Sequence, residues 1–327
     1  MSYLNSDKPL VMVTGAAGFV GSSLVDFLLT KGITARRCVR NIAGYPAVSE
    51  SIFENGDIDE CTNWSEALRG VGVVVHTAAR VHVMDERSSD PIAEFRRVNV
   101  SATVNLARQA VEAGVSRFIY LSSVKVNGES SSLGVPLKAS DPSMPVGPYA
   151  ISKAEAEVAL LDIASQTGLE VVIIRPPLIY GVGVKANFSL LIRAIRAGLP
   201  LPFGRVVENR RSMVSLTNLV DFIVLCLNSP DAVNQIFMIS DGDDISTGDL
   251  IMRIAKIIGR NSYLVPVPVS VLEKMALIFG KKDFMGRLTG NLQVDIDKNF
   301  ELLNWKPKTS LDKGLLLTLC EVTDDSR

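Results

Sequence analysis

Pro9-Leu10-Val11-Met12-Val13-Thr14 runs directly into Gly15-Ala16-Ala17-Gly18-Phe19-Val20-Gly21, and Ser22 to Thr30 follows with apolar residues at helical spacing. The first six residues read as a buried strand. Glycines let a backbone approach a pyrophosphate held at the N-terminus of the next helix. Strand, glycine turn and helix, in that order, are therefore the context of a dinucleotide-binding unit. The competing reading of G-x-x-G-x-x-G is a merely structural turn; its place after an apolar strand and before a helix favours binding.

Outward from that unit, apolar strands at 10–14, 34–39, 72–76, 117–121 and 170–175 alternate with helical segments such as Ala102 to Ala113. This alternation predicts an α/β fold, a doubly wound parallel sheet with helices on both faces. After Gly181 the pattern changes, and Pro200, Pro202, Pro266 and Pro268 punctuate shorter elements. We expect a binding domain over 1–180 and a smaller, mainly substrate-binding C-terminal lobe over 181–327. Part of 214–240 should return to the first domain, since Leu216 to Leu227 is apolar enough to rejoin the sheet. The polar run Glu129-Ser130-Ser131-Ser132 reads as a mobile loop over the site.

Composition narrows the function classes. The 327 residues are 47% apolar with a net charge of -1, enough for a substantial core and giving no general attraction to nucleic acid or to an anionic membrane. Cysteines at 38, 61, 226 and 320 have neither metal-ligand nor disulfide-framework spacing, so we expect no metal and reduced thiols in a cytoplasmic protein. The first eight residues carry no apolar signal core, and no apolar stretch reaches the ~20 residues of a spanning helix. Val265 to Phe279 is apolar and is followed by Lys281-Lys282, which leaves two readings: a helix resting on a membrane, and a core or dimer helix. The second is preferred.

Tyr149 and Lys153 are four residues apart, one turn of a helix, so a phenol and an ammonium project from one face. A free phenol titrates near ~10, and a nearby positive charge lowers that value toward neutral pH. Ser122-Ser123 ends the strand 117–121, and strand carboxyl ends face the ligand crevice of a doubly wound sheet. Ser122 reads as a hydroxyl capping a turn, and Ser123 as catalytic.

Gly15/Gly18/Gly21, Ser123 and Tyr149-x-x-x-Lys153 together resemble the extended short-chain dehydrogenase/reductase superfamily, in its nucleotide-sugar epimerase/dehydratase branch. Asn55-Gly56-Asp57-Ile58, His76-Thr77-Ala78-Ala79, Arg96-Arg97-Val98-Asn99-Val100, Arg175-Pro176-Pro177-Leu178-Ile179-Tyr180-Gly181 and Leu303-Asn304-Trp305-Lys306-Pro307 extend the resemblance over nearly the whole chain. It implies a Rossmann fold, a nicotinamide cofactor and a homodimer formed through the helix after Asn99 and the helix of Tyr149. In the family's chemistry Tyr149 moves the hydroxyl proton, Lys153 tunes it and holds the nicotinamide ribose, and Ser123 bonds the sugar oxygen. The implied cofactor contacts are Gly15, Gly18, Phe19, Val20 and Gly21, the adenine pair Asp57 and Ile58, Ala78 and Ala79, Asn99 on the nicotinamide side, and Pro176. Val39 stands where NAD-preferring members carry a carboxylate at the end of the second strand, and Arg40 follows it. A guanidinium there suits a 2'-phosphate, which favours NADP(H) over NAD(H). The alternative is a solvated Arg40 stacking on adenine.

The resemblance also implies a UDP-sugar substrate. Lys125 faces it; Asn187 and Phe188 resemble a segment gripping the nucleotide diphosphate; Arg211 and Arg287 resemble two pyrophosphate arginines, with Arg210 an adjacent alternative. Dehydratases of this branch place Thr-Asp-Glu where this chain has Ser123-Val124-Lys125, and without those carboxylates elimination of water is excluded. Lys125 and Asn127 also depart from the epimerases. The expected activity is therefore NADPH-dependent reduction of a UDP-4-keto-6-deoxy-N-acetylhexosamine for surface polysaccharide. UDP-sugar 4-epimerase is the alternative, and a non-catalytic NADP-binding regulator a minor one.

Overall fold

The computed structural model describes residues 9–43, 51–81, 90–184 and 186–321, with the side chains of 186, 187 and 321 left undescribed. Its strands are β1 (Leu10–Thr14), β2 (Ala35–Val39), β3 (Ile52–Glu54), β4 (Val71–His76), β5 (Arg117–Leu121), β6 (Glu170–Arg175), β7 (Leu178–Tyr180), β8 (Met213–Ser215) and β9 (Gln235–Met238). The helices are α1 (Phe19–Thr30), α2 (Pro91–Arg96), α3 (Ala102–Glu112), α4 (Gly147–Thr167), α5 (Ala186–Arg196), α6 (Leu216–Cys226), α7 (Thr247–Ile257), α8 (Val269–Ile278), α9 (Lys282–Thr289), α10 (Asp297–Leu303) and α11 (Leu311–Glu321). Among the described residues, seven strands form one parallel sheet in the order β3-β2-β1-β4-β5-β6-β9. This is a Rossmann arrangement.

The sheet follows from a period of two. Val11, Val13, Val73, Val75, Ile119, Val172 and Ile174 pack with α1 and α6 on one face. Met12, Val74, Phe118, Tyr120, Val171 and Ile173 pack with α3 and α4 on the other. Strands covered on both sides read as nearly unbroken apolar runs, which is why β1, β4, β5 and β6 stand out in the sequence. The strand order reverses between β1 and β4, and a crevice opens there at the carboxyl ends.

Two elements differ from the sequence reading. Leu216–Cys226 returns to the sheet as a helix packed on α1, capped by the Ser215 hydroxyl on the Asn218 amide; the added strand is the four-residue β9. The loop around Glu129–Ser132 is pinned, not free. Ser131 N donates to Asn291 O at 3.0 Å, and its Oγ accepts from Gln293 N at 2.9 Å. A third apolar cluster, with Phe188, Ile192, Ile251, Leu272 and Leu315, gathers α5, α7, α8 and α11 around Tyr180 and Met213 of the two-stranded β7-β8 sheet.

Candidate active site

The glycine turn is a cradle that side chains would fill. Gly15 has a φ of 65°, and a Cβ there would meet the Ala78 nitrogen at 2.8 Å. At Gly21 it would lie 2.2 Å from the Gly15 carbonyl oxygen, and at Gly18 3.1 Å from the same atom. Gly18 also caps α1 without any side-chain hydrogen bond, leaving the Phe19 and Val20 end of the helix to an anion. Ala78 and Ala79 follow β4 directly across from this turn. Backbone, helix dipole and tight glycine contacts fit a dinucleotide pyrophosphate.

Ser123, Tyr149 and Lys153 converge from the ends of β5 and α4. Tyr149 is half-buried, its ring edge against Phe95 at 6.2 Å. Burial pushes its phenol up to about 12, and a side-chain hydrogen bond with Ser123 pulls the other way. The expected direct tuning by Lys153 is not what this arrangement shows. Lys153 Nζ turns inward, donating to Leu121 O at 2.7 Å and to the Tyr120 hydroxyl at 3.2 Å. Burial lowers its pKa to about 7, opposed by the charge of Glu157. Tyr120 escaped the sequence reading because it looks like one more core residue of β5.

The turn cap expected of Ser122 is made by Ser123 instead, which also lies beside the Tyr149 phenol. Ser123 Oγ caps the turn, accepting from Lys125 N at 3.3 Å, while Ser122 Oγ donates to Glu157. Glu157, one turn beyond Lys153, also binds Arg175 through Nε at 3.0 Å, and Arg175 Nη1 donates to Asn127 Oδ1 at 2.8 Å. This buried network ties β5, α4 and β6 together beneath the reacting groups. A buried pair with its remaining hydrogen bonds satisfied fixes geometry, and breaking it leaves an uncompensated charge. The i, i+4 placement of Glu157 after Lys153 was its only sequence signal.

Further along the crevice, Arg40 lies just past β2 and pairs with Asp57, Nε to Oδ1 at 2.8 Å, both side chains exposed. Ile58 is half-buried against the α3 face of the core. Asn99 sits in a π-helical turn, Arg97–Ser101, a feature frequent at functional sites. Its amide accepts from Arg80 N at 2.8 Å and donates to Arg80 O and Ser152 Oγ at 3.0 Å each. Asn99 therefore holds the Ala78–Arg80 segment and α4 from behind. His76 is buried between the hydroxyls of Thr14 and Thr103, and burial holds its pKa down to about 3, so it is a neutral structural residue. Pro176 is buried at the end of β6 and accepts from Val124 N at 3.0 Å.

Beside Tyr149 a cleft of about 870 Å³ opens between Lys125, Glu129 and Val146 on one side and Lys274, Leu277 and Arg287 of α8 and α9 on the other. Its size suits a small-molecule ligand. Lys125 Nζ pairs with Glu129 at 2.7 Å. Arg211 bonds Gly290 O at 3.2 Å; burial lowers its pKa to about 10, with Glu129 raising it and Arg287 lowering it. Arg211, Arg287, Lys125 and Glu129 thus share one electrostatic neighbourhood. Arg210 folds back on the carbonyls of Val207 and Asn209, each at 3.0 Å. Phe188 is buried in α5 against Tyr180; Asn187 lies in the first turn of α5, its side chain outside the described residues. Among the described residues no cluster of three His, Cys, Asp or Glu side chains could hold a metal ion.

Comparison with known proteins agrees with this geometry. The model of the NAD dependent epimerase/dehydratase family matches residues 11–240. A UDP-glucose 4-epimerase of Vibrio cholerae is 45% identical over 312 residues, covering 94% of each chain. The structure of a UDP-glucose 4-epimerase from Thermotoga maritima with UDP-glucose superposes with a TM-score of 0.76 at 22% identity, over 97% of this chain and 100% of that one, a likeness of fold. MoeE5 in complex with UDP-glucose and NAD gives 0.77 at 25% identity, over 97% and 99%. With a glycine cradle, a Tyr149/Lys153 pair and a family match across most of its length, the chain belongs to the NAD-dependent epimerase/dehydratase family.

Proposed function

We propose that this enzyme is a UDP-sugar 4-epimerase working on a tightly held NAD. The observation that carries the reading is the 45% identity to the Vibrio cholerae UDP-glucose 4-epimerase over 94% of both chains. It weighs against the 4-ketoreductase expected from the sequence. The Arg40–Asp57 pair supports NAD as well, since the Asp57 carboxylate already answers the guanidinium and would repel a 2'-phosphate.

A nicotinamide cofactor with its pyrophosphate in the glycine cradle would supply, at its ring, a place for a hydride to be taken up and returned. The chain's own residues handle the proton. Tyr149 takes the proton from the sugar hydroxyl at the reacting carbon and gives it back, and Ser123 donates a hydrogen bond to the same oxygen. Positioned proton transfer of this kind contributes on the order of 10² to 10⁴ in rate. Lys153 reaches Tyr149 and the ribose only by rotating away from Leu121 O and Tyr120, and in that rotamer its charge would draw the phenol down from the raised value that burial gives it. Lys125, Arg211 and Arg287 receive the diphosphate, with Glu129 shared among these cations until it arrives. The proposal includes a homodimer through α3 and α4.

A second reading is favoured by one observation: Arg40, not a carboxylate, follows β2. On that reading the enzyme is an NADPH-dependent reductase of a UDP-4-keto-6-deoxy-N-acetylhexosamine. The two separate in paired assays, one with UDP-sugar and no added cofactor and one with the 4-keto sugar and NADPH. The epimerase interconverts UDP-glucose and UDP-galactose, or their N-acetylhexosamine counterparts, with no net change in nicotinamide absorbance. Failure of both interconversions, with stoichiometric NADPH oxidation by the 4-keto sugar, would establish the reductase instead.

A further inference from the structure

The hairpin of α8 and α9 forms the outer wall of the cleft, and it is apolar on two faces. Leu272 and Ala276 point into the lobe. Val271, Met275 and Ile278, at i, i+4 and i+7, form a row on an adjacent, exposed face. At the tip Leu277 is 65%, Ile278 79% and Phe279 70% exposed, and Phe284 on α9 is exposed too. A helix that needs only one face for its own core has no intramolecular reason to keep the second row apolar. Contiguous exposed apolar surface of this kind marks an interaction site.

Charge selects the partner. Between 269 and 289 the cations Lys274, Lys281, Lys282 and Arg287 stand against only Glu273 and Asp283, in a chain whose net charge is -1. Lys281 and Lys282 directly follow the apolar tip and are exposed. Aromatic and aliphatic residues at a tip flanked by lysines match an anionic lipid interface: the apolar groups enter the acyl boundary and the ammonium groups meet phosphate. No described helix is long and apolar enough to cross a membrane, so the contact is one of docking.

We propose that the α8–α9 tip, through Leu277, Ile278, Phe279 and Lys281, docks this enzyme on an anionic membrane surface. Because Lys274, Leu277, Lys282 and Arg287 also line the cleft, docking brings the cleft mouth to the headgroup layer. The inference needs no particular reaction in the cleft, and vesicle binding is read without substrate.

The test is co-sedimentation of the full chain with vesicles of phosphatidylcholine containing phosphatidylglycerol, beside vesicles of phosphatidylcholine alone. The protein should pellet with the anionic vesicles at low salt, stay in solution with the neutral ones, and be released as salt screens the lysines. The double variant Ile278→Ser/Phe279→Ser should lower anionic-vesicle binding by about tenfold or more, at an unchanged melting curve and turnover. Failure of the unmodified protein to bind anionic vesicles would overturn the proposal. So would equal binding by the double variant. Loss of a dimer in the double variant, with no vesicle binding by either protein, would assign the face to a second copy of the chain instead.

Discussion

The two walls of the site are built on opposite principles. On the cofactor side, Gly15, Gly18 and Gly21 press backbone against backbone at the end of β1, within seven consecutive residues and next to a fully buried strand. On the substrate side, Lys125, Arg211 and Arg287 come from three separated segments, and the outer wall is an exposed hairpin. The first wall binds through shape that no side chain can replace. The second binds through charges on long side chains, which can be exchanged without disturbing the sheet. The proposed function puts the chemistry where they meet, at Ser123, Tyr149 and Lys153.

That contrast sets four tests, beginning with the junction. Tyr149→Phe should lower kcat on the order of 10² to 10⁴ while the bound nucleotide, measured after denaturing the protein, stays near the unmodified level. Comparable turnover in that variant would break the assignment of the proton to Tyr149. On the rigid wall, Gly21→Ala places a methyl within 2.2 Å of the Gly15 carbonyl oxygen. It should release the nucleotide and cost about 1–3 kcal/mol in denaturant unfolding. On the adaptable wall, Arg287→Ala should leave the unfolding curve unchanged and raise KM for the UDP-sugar about tenfold, the loss of one charge-assisted bond. Equal effects of Gly21→Ala and Arg287→Ala on nucleotide retention would erase the distinction between the walls.

The smallest expected effect concerns pH. Burial holds Lys153 at about 7 against an ordinary 10.5, so between those values the unfolded chain binds a proton that the native chain does not. Stability gains from this group as pH rises through that window. The buried thiols of Cys38 and Cys226, both pushed up, work in the opposite direction above their ordinary 9.0, so pH 7 to 9 isolates the lysine. The melting temperature of the unmodified protein should gain relative to that of Lys153→Met between those pH values. A constant difference between the two proteins would place Lys153 in a solvated environment.

The same contrast explains what the sequence revealed. The glycine cradle, β1, β4, β5, β6 and the Tyr149/Lys153 turn were legible because each is written in neighbouring residues. The three-residue β3 and four-residue β9 were missed, since such short runs carry little periodicity and β9 joins the sheet only through its pairing with β6. Leu216–Cys226 does return to the sheet, but as a covering helix; a helix packed against α1 and the sheet is apolar around much of its circumference, so its sequence does not separate it from a strand. The inward turn of Lys153 to Tyr120, and the choice of Ser122 over Ser123 as partner of Glu157, depend on residues more than thirty positions away. No local pattern encodes them.

The most direct test of the central claim follows the hydrogen at the reacting carbon. UDP-galactose carrying deuterium at C4 is converted by the enzyme in the presence of excess unlabelled NADH and NADPH, and the product is read by mass spectrometry. An epimerase with a closed cofactor cradle returns the deuterium to C4 of UDP-glucose. Product that has exchanged its label with the free pool would contradict the account, because the cradle would then hold a cofactor that comes and goes.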